Sequence, residues 1–328
     1  MIKKILLLTF FTAAILSPSL FAQEKDSTYS SDTTYTSSSS NEDDDSECDS
    51  GWTSDWGDWS NKWNDHRWHS FSFHGKPTLE ATYGVSKIGI KSLGKSFANT
   101  GAAEIKVSYS SLHKRVDYIS QYQNNFAFLS TNSMDLTSDN NNANDLTSET
   151  WRFGLGWQSG YAYQFGNAAI IPYNSNAFVW TRIKYTGNSN PIAVPDVYGL
   201  SAVDAQMLKE FNETVRFGQL SEGGIKLQVV PILTFNAGYE RAIVFPRHMF
   251  WKHAGSLILE GIGQGAIDAF VHEVLDSSPA AAPIVNFLLK NGFSYAFYQL
   301  RKEKMNWPFD TAEPLTYDTW KIGMTFTF

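Results

Sequence analysis

The chain has 328 residues, 15% of them aromatic and only 18% charged, with a formal net charge of -7. A single cysteine, Cys48, excludes an internal disulfide, and the acidic balance argues against a nucleic-acid partner. Mean hydropathy is -0.28, and past residue 22 no apolar run approaches the ~20 residues that a membrane helix requires, which excludes helical spans.

Residues 1–22 open on "MIKK", continue through "ILLLTFFTAAIL" and close on small residues, the layout of a secretory signal cleaved after Ala22. Residues 23–50 are dominated by Ser, Thr and Asp, which bury too little apolar area to order the chain, so they read as a disordered tether. Residues 51–76 form a periplasmic segment rich in Trp and His. Its Trp52, Trp56, Trp59 and Trp63 share one helical face and suit an anchor at the membrane interface. A peptidoglycan or carbohydrate contact of this arm is the alternative, and a metal at Asp65, His66, His69 and His74 a further one, with no standard ligand spacing.

From residue 77 the pattern changes to strict alternation. "TWRFGLGWQSGYAYQF" places Trp151, Phe153, Leu155 and Trp157 on one face and Arg152, Gly154, Gly156 and Gln158 on the other. Fifteen alternating residues exceed an ordinary soluble strand and match a tilted membrane strand. The same template fits 78–90, 101–112, 115–129, 150–165, 169–185, 219–230, 232–245 and 317–328. Apolar residues are expected outward, among them Tyr122, Phe126 and Phe128 in the third strand and Ile171, Tyr173, Val179, Ile183 and Tyr185 in the fifth. Connectors alternate between short ("HKR", "GNA", "VPI") and long. The expected fold is therefore all-β and transmembrane: an eight-stranded antiparallel up-and-down barrel over residues 77–328, in the outer membrane, with both termini periplasmic.

Two long connectors carry helical patterns, about 200–217 and about 254–305. In the first, Ser201 or Asp204 caps an apolar stripe that includes Met207, Leu208 and Phe211. The second reads as a helical hairpin. On its first helix Glu260, Gln264, Asp268 and His272 form a polar stripe, read as solvated or lumen-facing, with a metal or acid–base site at Asp268 and His272 as the alternative. Gly261, Gly265 and Ala269 form a small-residue stripe suited to close helix packing. Both insertions are expected to pack together as a cap over the mouth on the long-loop side.

The signal, the alternating strands and the ending "TWKIGMTFTF" resemble the bacterial outer-membrane β-barrel superfamily, at the level of architecture. Trp320, Ile322, Met324, Phe326 and Phe328 match the C-terminal signal that such proteins show to the barrel assembly machinery. The resemblance implies that machinery and outer-membrane lipid as partners.

Inward positions carry Glu80, Glu104, Glu222 and Glu240 against Lys106, Arg152, Arg182, Lys184, Lys226 and Lys321, a lumen charge network in an interior narrow enough for side chains to fill. Before the hairpin, Arg247, His248, Trp251, Lys252 and His253 combine cations with interfacial aromatics, a possible lipid contact. These features point to a non-enzymatic outer-membrane barrel whose helical cap binds a lipidic or hydrophobic ligand or a partner, with no cofactor required. A purely structural, tethering barrel is one alternative. A lipid-modifying enzyme built on His253, Ser256 and Glu260 is the other.

Overall fold

The computed structural model describes residues 75–137, 145–186 and 200–328. The leader, the tether and the Trp/His-rich arm up to His74, with its metal alternative, lie outside the described residues. The alternating segments form β1 (Lys76–Gly89), β2 (Thr100–Val116), β3 (Ile119–Ser133), β4 (Thr147–Phe165), β5 (Ala168–Thr186), β6 (Val215–Val230), β7 (Leu233–Val244) and β8 (Leu315–Thr327). Each pairs antiparallel with its neighbours in chain order, and β8 returns to β1, so the sheet closes into a barrel with no free edge.

Cross-strand partners lead from Leu79 through Val107, Ala127, Leu155, Phe178, Gln219, Ile243 and Thr316 back to β1 at Gly89, a stagger of ten residues. Eight strands with such a stagger must tilt, and they leave an interior that side chains fill. Short turns join β2 to β3, β4 to β5 and β6 to β7 at one end. Gly166 makes the second of them with a φ of 63°, the left-handed region that a tight hairpin needs. The β2–β3 turn falls at Asp117–Tyr118, past the expected "HKR", because β2 keeps its pairing through Val116. The outer wall carries exposed Tyr83, Ile105, Leu129, Phe153 and Ile322, and Trp320 is 69% exposed.

Two strands present the opposite face from the one expected. Tyr122, Phe126 and Phe128 of β3, and Ile171, Tyr173, Val179, Ile183 and Tyr185 of β5, are buried inside the barrel. The reason is volume. A Cβ on Gly154 would lie 2.5 Å from the Phe128 ring, one on Gly156 2.6 Å from Phe126, and one on Gly224 2.6 Å from the Tyr173 hydroxyl. Large rings therefore fill the lumen over glycines of the facing strands. The outer face of β5 is left with Asn174, Asn176, Arg182 and Lys184.

Helix α1 (Ala202–Phe211) starts with a reciprocal capping box between Ser201 and Asp204. The Ser201 backbone N–H and hydroxyl hold the Asp204 carboxyl below the usual carboxylate range. Leu208 and Phe211 are buried with Phe97, Leu146, Ile183, Tyr185 and Tyr317, and Met207 packs against them, so α1 seals the long-loop mouth.

The hairpin does not join that cap. Helices α2 (Phe250–Ser277) and α3 (Ala282–Arg301) lie against the outside of the wall, with α3 packed on β4, β5, β6 and β7. Asn174 Nδ2 donates to Asn291 Oδ1 at 3.2 Å, and Asn291 Nδ2 donates to the Tyr173 carbonyl at 3.3 Å. At the short-turn end Tyr163 donates to the Ala280 carbonyl at 2.5 Å, while Val271, Leu275 and Ala282 pack on Ile119 and Tyr161. The hairpin thus runs from the long-loop rim to the turns. The expected small-residue seam is also displaced: nothing lies within 4 Å of a Cβ on Gly261 or Gly265, whereas one on Gly263 would collide with the Phe293 ring.

That geometry separates two substitutions. Gly263→Leu should loosen the hairpin by about 1–3 kcal/mol through overpacking, seen as faster proteolysis of residues 250–301. Gly265→Leu should leave proteolysis unchanged; equal effects of the two would refute this packing.

Candidate functional site: the lumen network and the hairpin seam

Alternation turns Glu80, Glu104, Lys106, Arg152, Glu222, Lys226, Glu240 and Lys321 into the lumen, where all are buried. Lys226 Nζ lies 2.8 Å from Glu80, and Lys106 lies 3.2 Å from Glu80, 3.1 Å from Glu104 and 3.3 Å from Glu222. Lys321 then reaches Glu104 at 3.0 Å and both Glu222 and Glu240 at 2.6 Å, and Arg152 meets Glu240 at 2.5 Å. Four carboxylates face four cations in an unbroken chain along the barrel interior. Opposite charges at such distances offset the desolvation that either alone would suffer.

Arg182 and Lys184, expected in this network, lie outside it. Arg182 sits opposite Trp151 and Val215, both exposed outer-wall residues, and Lys184 is likewise exposed. They belong to the reversed face of β5. Glu104, Glu222 and Glu240 converge closely enough to hold a metal ion, but the Lys321 ammonium already stands where that cation would go. The arrangement is a neutral plug, roofed by Tyr317 and the apolar mouth core.

A second polar assembly lies outside the barrel. Asn176, Ser221, Arg241 and Asp318 are cross-strand partners in one row of the outer wall, and Ser159, Asn174, Gly223 and Tyr239 form the next. Along β7 this patch continues the lipid-type face of Phe235 and Ala237. Helix α3 covers it. Asp318 accepts from Tyr239 at 2.9 Å, Tyr298 at 2.8 Å and Lys302 at 3.2 Å, while Arg241 is sandwiched between Tyr239 and Tyr295 and only 4% exposed. Arg301 donates to Gln219 of the wall at 3.0 Å.

Three residues of the polar stripe of α2 turn to α3, while the fourth, His272, is exposed. Glu260 pairs with Arg301 at 2.7 Å, Gln264 donates to Ser294 at 3.1 Å, and Asp268 pairs with Lys290 at 2.6 Å. Asp268 is thereby committed to an ion pair and not to a metal. In the enzyme alternative, Ser256 donates to the Trp307 carbonyl at 2.7 Å and receives Arg301 at 2.8 Å, while His253 Nδ1 meets Asn306 at 3.3 Å. Serine and histidine face different partners: Ser256 and Glu260 gather on Arg301, while His253 bonds Asn306.

The expected lipid cluster divides. His253 is buried against Phe217, Phe245 and His248, and Lys252 donates to the Asp310 carbonyl at 2.8 Å, so both pack the hairpin's root. Arg247 and His248 remain at the surface, and Trp251 is 83% exposed. The outer-wall row is the docking seam of α3, and the sequence reading does not include it. Asn174, Asn176, Ser221, Arg241 and Asp318 all break the apolar alternation of their strands, and that clustered break was its signal.

No protein-family model matches the chain, and no curated protein matches it. Among solved structures it is similar to Neisserial surface protein A, with 9% identity, a TM-score of 0.35 and coverage of 77% of this chain and 97% of that one. It is also similar to the attachment invasion locus protein Ail of Yersinia pestis, at 7% identity, TM-score 0.31 and coverage of 77% and 99%. The outer membrane protein OprG of Pseudomonas aeruginosa gives 10%, 0.28, 77% and 96%. Nothing of those proteins' activities is carried over at such identities. Closure, strand order and outward apolar belt make this chain an eight-stranded barrel of outer-membrane architecture.

Lys321, like Lys106, touches three of the four carboxylates. Lys321→Met should destabilise the barrel by about 3–5 kcal/mol by leaving buried charge uncompensated. Urea unfolding in detergent, followed by loss of the heat-modifiable band, measures it; an unchanged midpoint would show the network to be energetically idle.

Proposed function

We propose that the protein is a non-conducting, non-enzymatic outer-membrane barrel that holds its helical hairpin within the bilayer, where the hairpin's outer face binds acyl chains. The observation carrying this reading is the two-sided chemistry of the hairpin. Glu260, Gln264, Asp268, Lys290, Asn291 and Arg301 turn inward onto each other and the polar wall, whereas Ile258, Leu259, Ile262, Phe270, Ile284 and Leu288 are exposed. Among the described residues no helix is long and apolar enough to cross a membrane by itself. Beside this wall Glu260, Gln264 and Asp268 of α2 are paired, and the exposed face from Phe250 to Phe270 spans about 30 Å, the thickness of the hydrocarbon core.

The short turns and the β1 and β8 ends share one rim, which suits the periplasmic side, and the long-loop rim then faces outward. There Arg247, His248 and Trp251 sit beside lipid headgroups. Trp320, Ile322, Met324, Phe326 and Phe328 line the outer face of β8, within reach of the assembly machinery.

Two measurements bear on this. In planar bilayers the sealed lumen should give no steady conductance, and a stable open pore would contradict the plug. With Cys48 replaced by Ser, a nitroxide on Ile262→Cys should be reached by oxygen and shielded from a water-soluble nickel reagent. Shielding no greater than at exposed Lys209 of α1 would place the hairpin in water. At the rim, Arg247→Gln with His248→Gln should lower co-purifying lipopolysaccharide while heat-modifiability stays intact; unchanged lipid would remove the rim from the reading.

A further inference from the structure

The barrel is not cut square at its short-turn end. Pairing of β1 with β2 begins at Lys76 and Ser110, but β2 and β3 run on together to Val116 and Ile119, and β4 and β5 to Phe165 and Ala168. On the other side the wall stops near Pro231. Strands β2–β5 thus stand up as a tongue behind an open cup of about 390 Å³.

The lining divides by chemistry. Leu112, Tyr122 and Ile171 of the tongue form an apolar back, and Thr78, Thr234 and Thr325 a hydroxyl front. Lys226 forms the floor and Lys76 the lip, and no Asp or Glu lines the cup. Lys226 is 2% exposed, and its ammonium has three N–H donors. Glu80 accepts one at 2.8 Å, and the Tyr122 and Tyr173 rings lie 5.6 and 5.5 Å away. Thr325 donates its hydroxyl to Glu80 and Thr78 bonds Ser108, so the two ammonium groups are the charged donors of a concave surface with an apolar wall, within the size range of small-molecule sites.

We infer that this cup is a binding site for a small amphipathic carboxylate, its anionic head toward Lys226 and Lys76 and its apolar body on Leu112, Tyr122 and Ile171. Charge selects the head, since every charged lining residue is a cation. Leu112, 38% exposed, and the edges of the buried Tyr122 and Ile171 favour an aromatic or short aliphatic body over a sugar, which would leave those groups in contact with hydroxyls. The site depends on neither the hairpin nor the membrane orientation.

The test uses the full-length protein in phosphatidylcholine nanodiscs with methyl-labelled Ile and Thr, titrated with phenylbutyrate and, separately, with neutral phenylbutanol. Phenylbutyrate should shift the Ile171 and Thr325 methyls saturably at concentrations up to about 10 mM, and phenylbutanol should not. Lys76→Gln, at an exposed lip position that leaves the lumen network intact, should weaken binding about two- to fivefold. Absence of a saturable shift, an equal response to the alcohol, or an unchanged affinity in Lys76→Gln would each overturn the assignment.

Discussion

In hydrocarbon no water completes an unpaired polar group, so backbone N–H groups and charged side chains at that depth are driven to partners within the protein. Closure of β8 onto β1 meets that demand for the backbone. The same demand explains the two polar assemblies. Inside, four carboxylates and four cations neutralise one another in a space too narrow for bulk water. Outside, a row of polar residues on the wall is matched by the polar residues of a helix. Either surface alone would be costly, and together they make a seam. The hairpin and the wall are therefore conditions for each other in a membrane.

Much of the barrel was legible in the sequence because strand alternation has only two faces and connector lengths sort the two rims. Eight strands, their order and the inward set from Glu80 to Lys321 follow from those facts. What alternation cannot decide is which face of a strand is lipid-facing when both are plausible. In β3 and β5 the aromatic face filled the lumen, since Gly154, Gly156 and Gly224 on neighbouring strands vacated the volume that Phe128, Phe126 and Tyr173 occupy. That information sits in residues distant along the chain. Arg182 and Lys184 were misplaced for the same reason.

The hairpin shows a similar limit. Periodicity located both helices and the polar stripe of α2, but a stripe does not name its partner. Glu260, Gln264 and Asp268 met Arg301, Ser294 and Lys290, one helix further along, and not solvent. Gly261 and Gly265 look like the close-packing positions by spacing alone, while Gly263, on the opposite face of the helix, takes the Phe293 ring. The start of α1, by contrast, is local: of the two candidate caps Ser201 is the N-cap, and Asp204 completes a box that the sequence reading did not specify.

Covering β4 to β7 with a helical pair also breaks the rotational equivalence of the barrel. A bare eight-stranded barrel offers much the same apolar surface in every direction within the bilayer plane. This one has a helical flank and a naked flank made of β1, β2 and the lower part of β8. Neighbouring proteins meet one or the other depending on azimuth. The junction where the sheet closes lies on the naked flank, so it stays laterally accessible in the assembled protein while the opposite wall is screened.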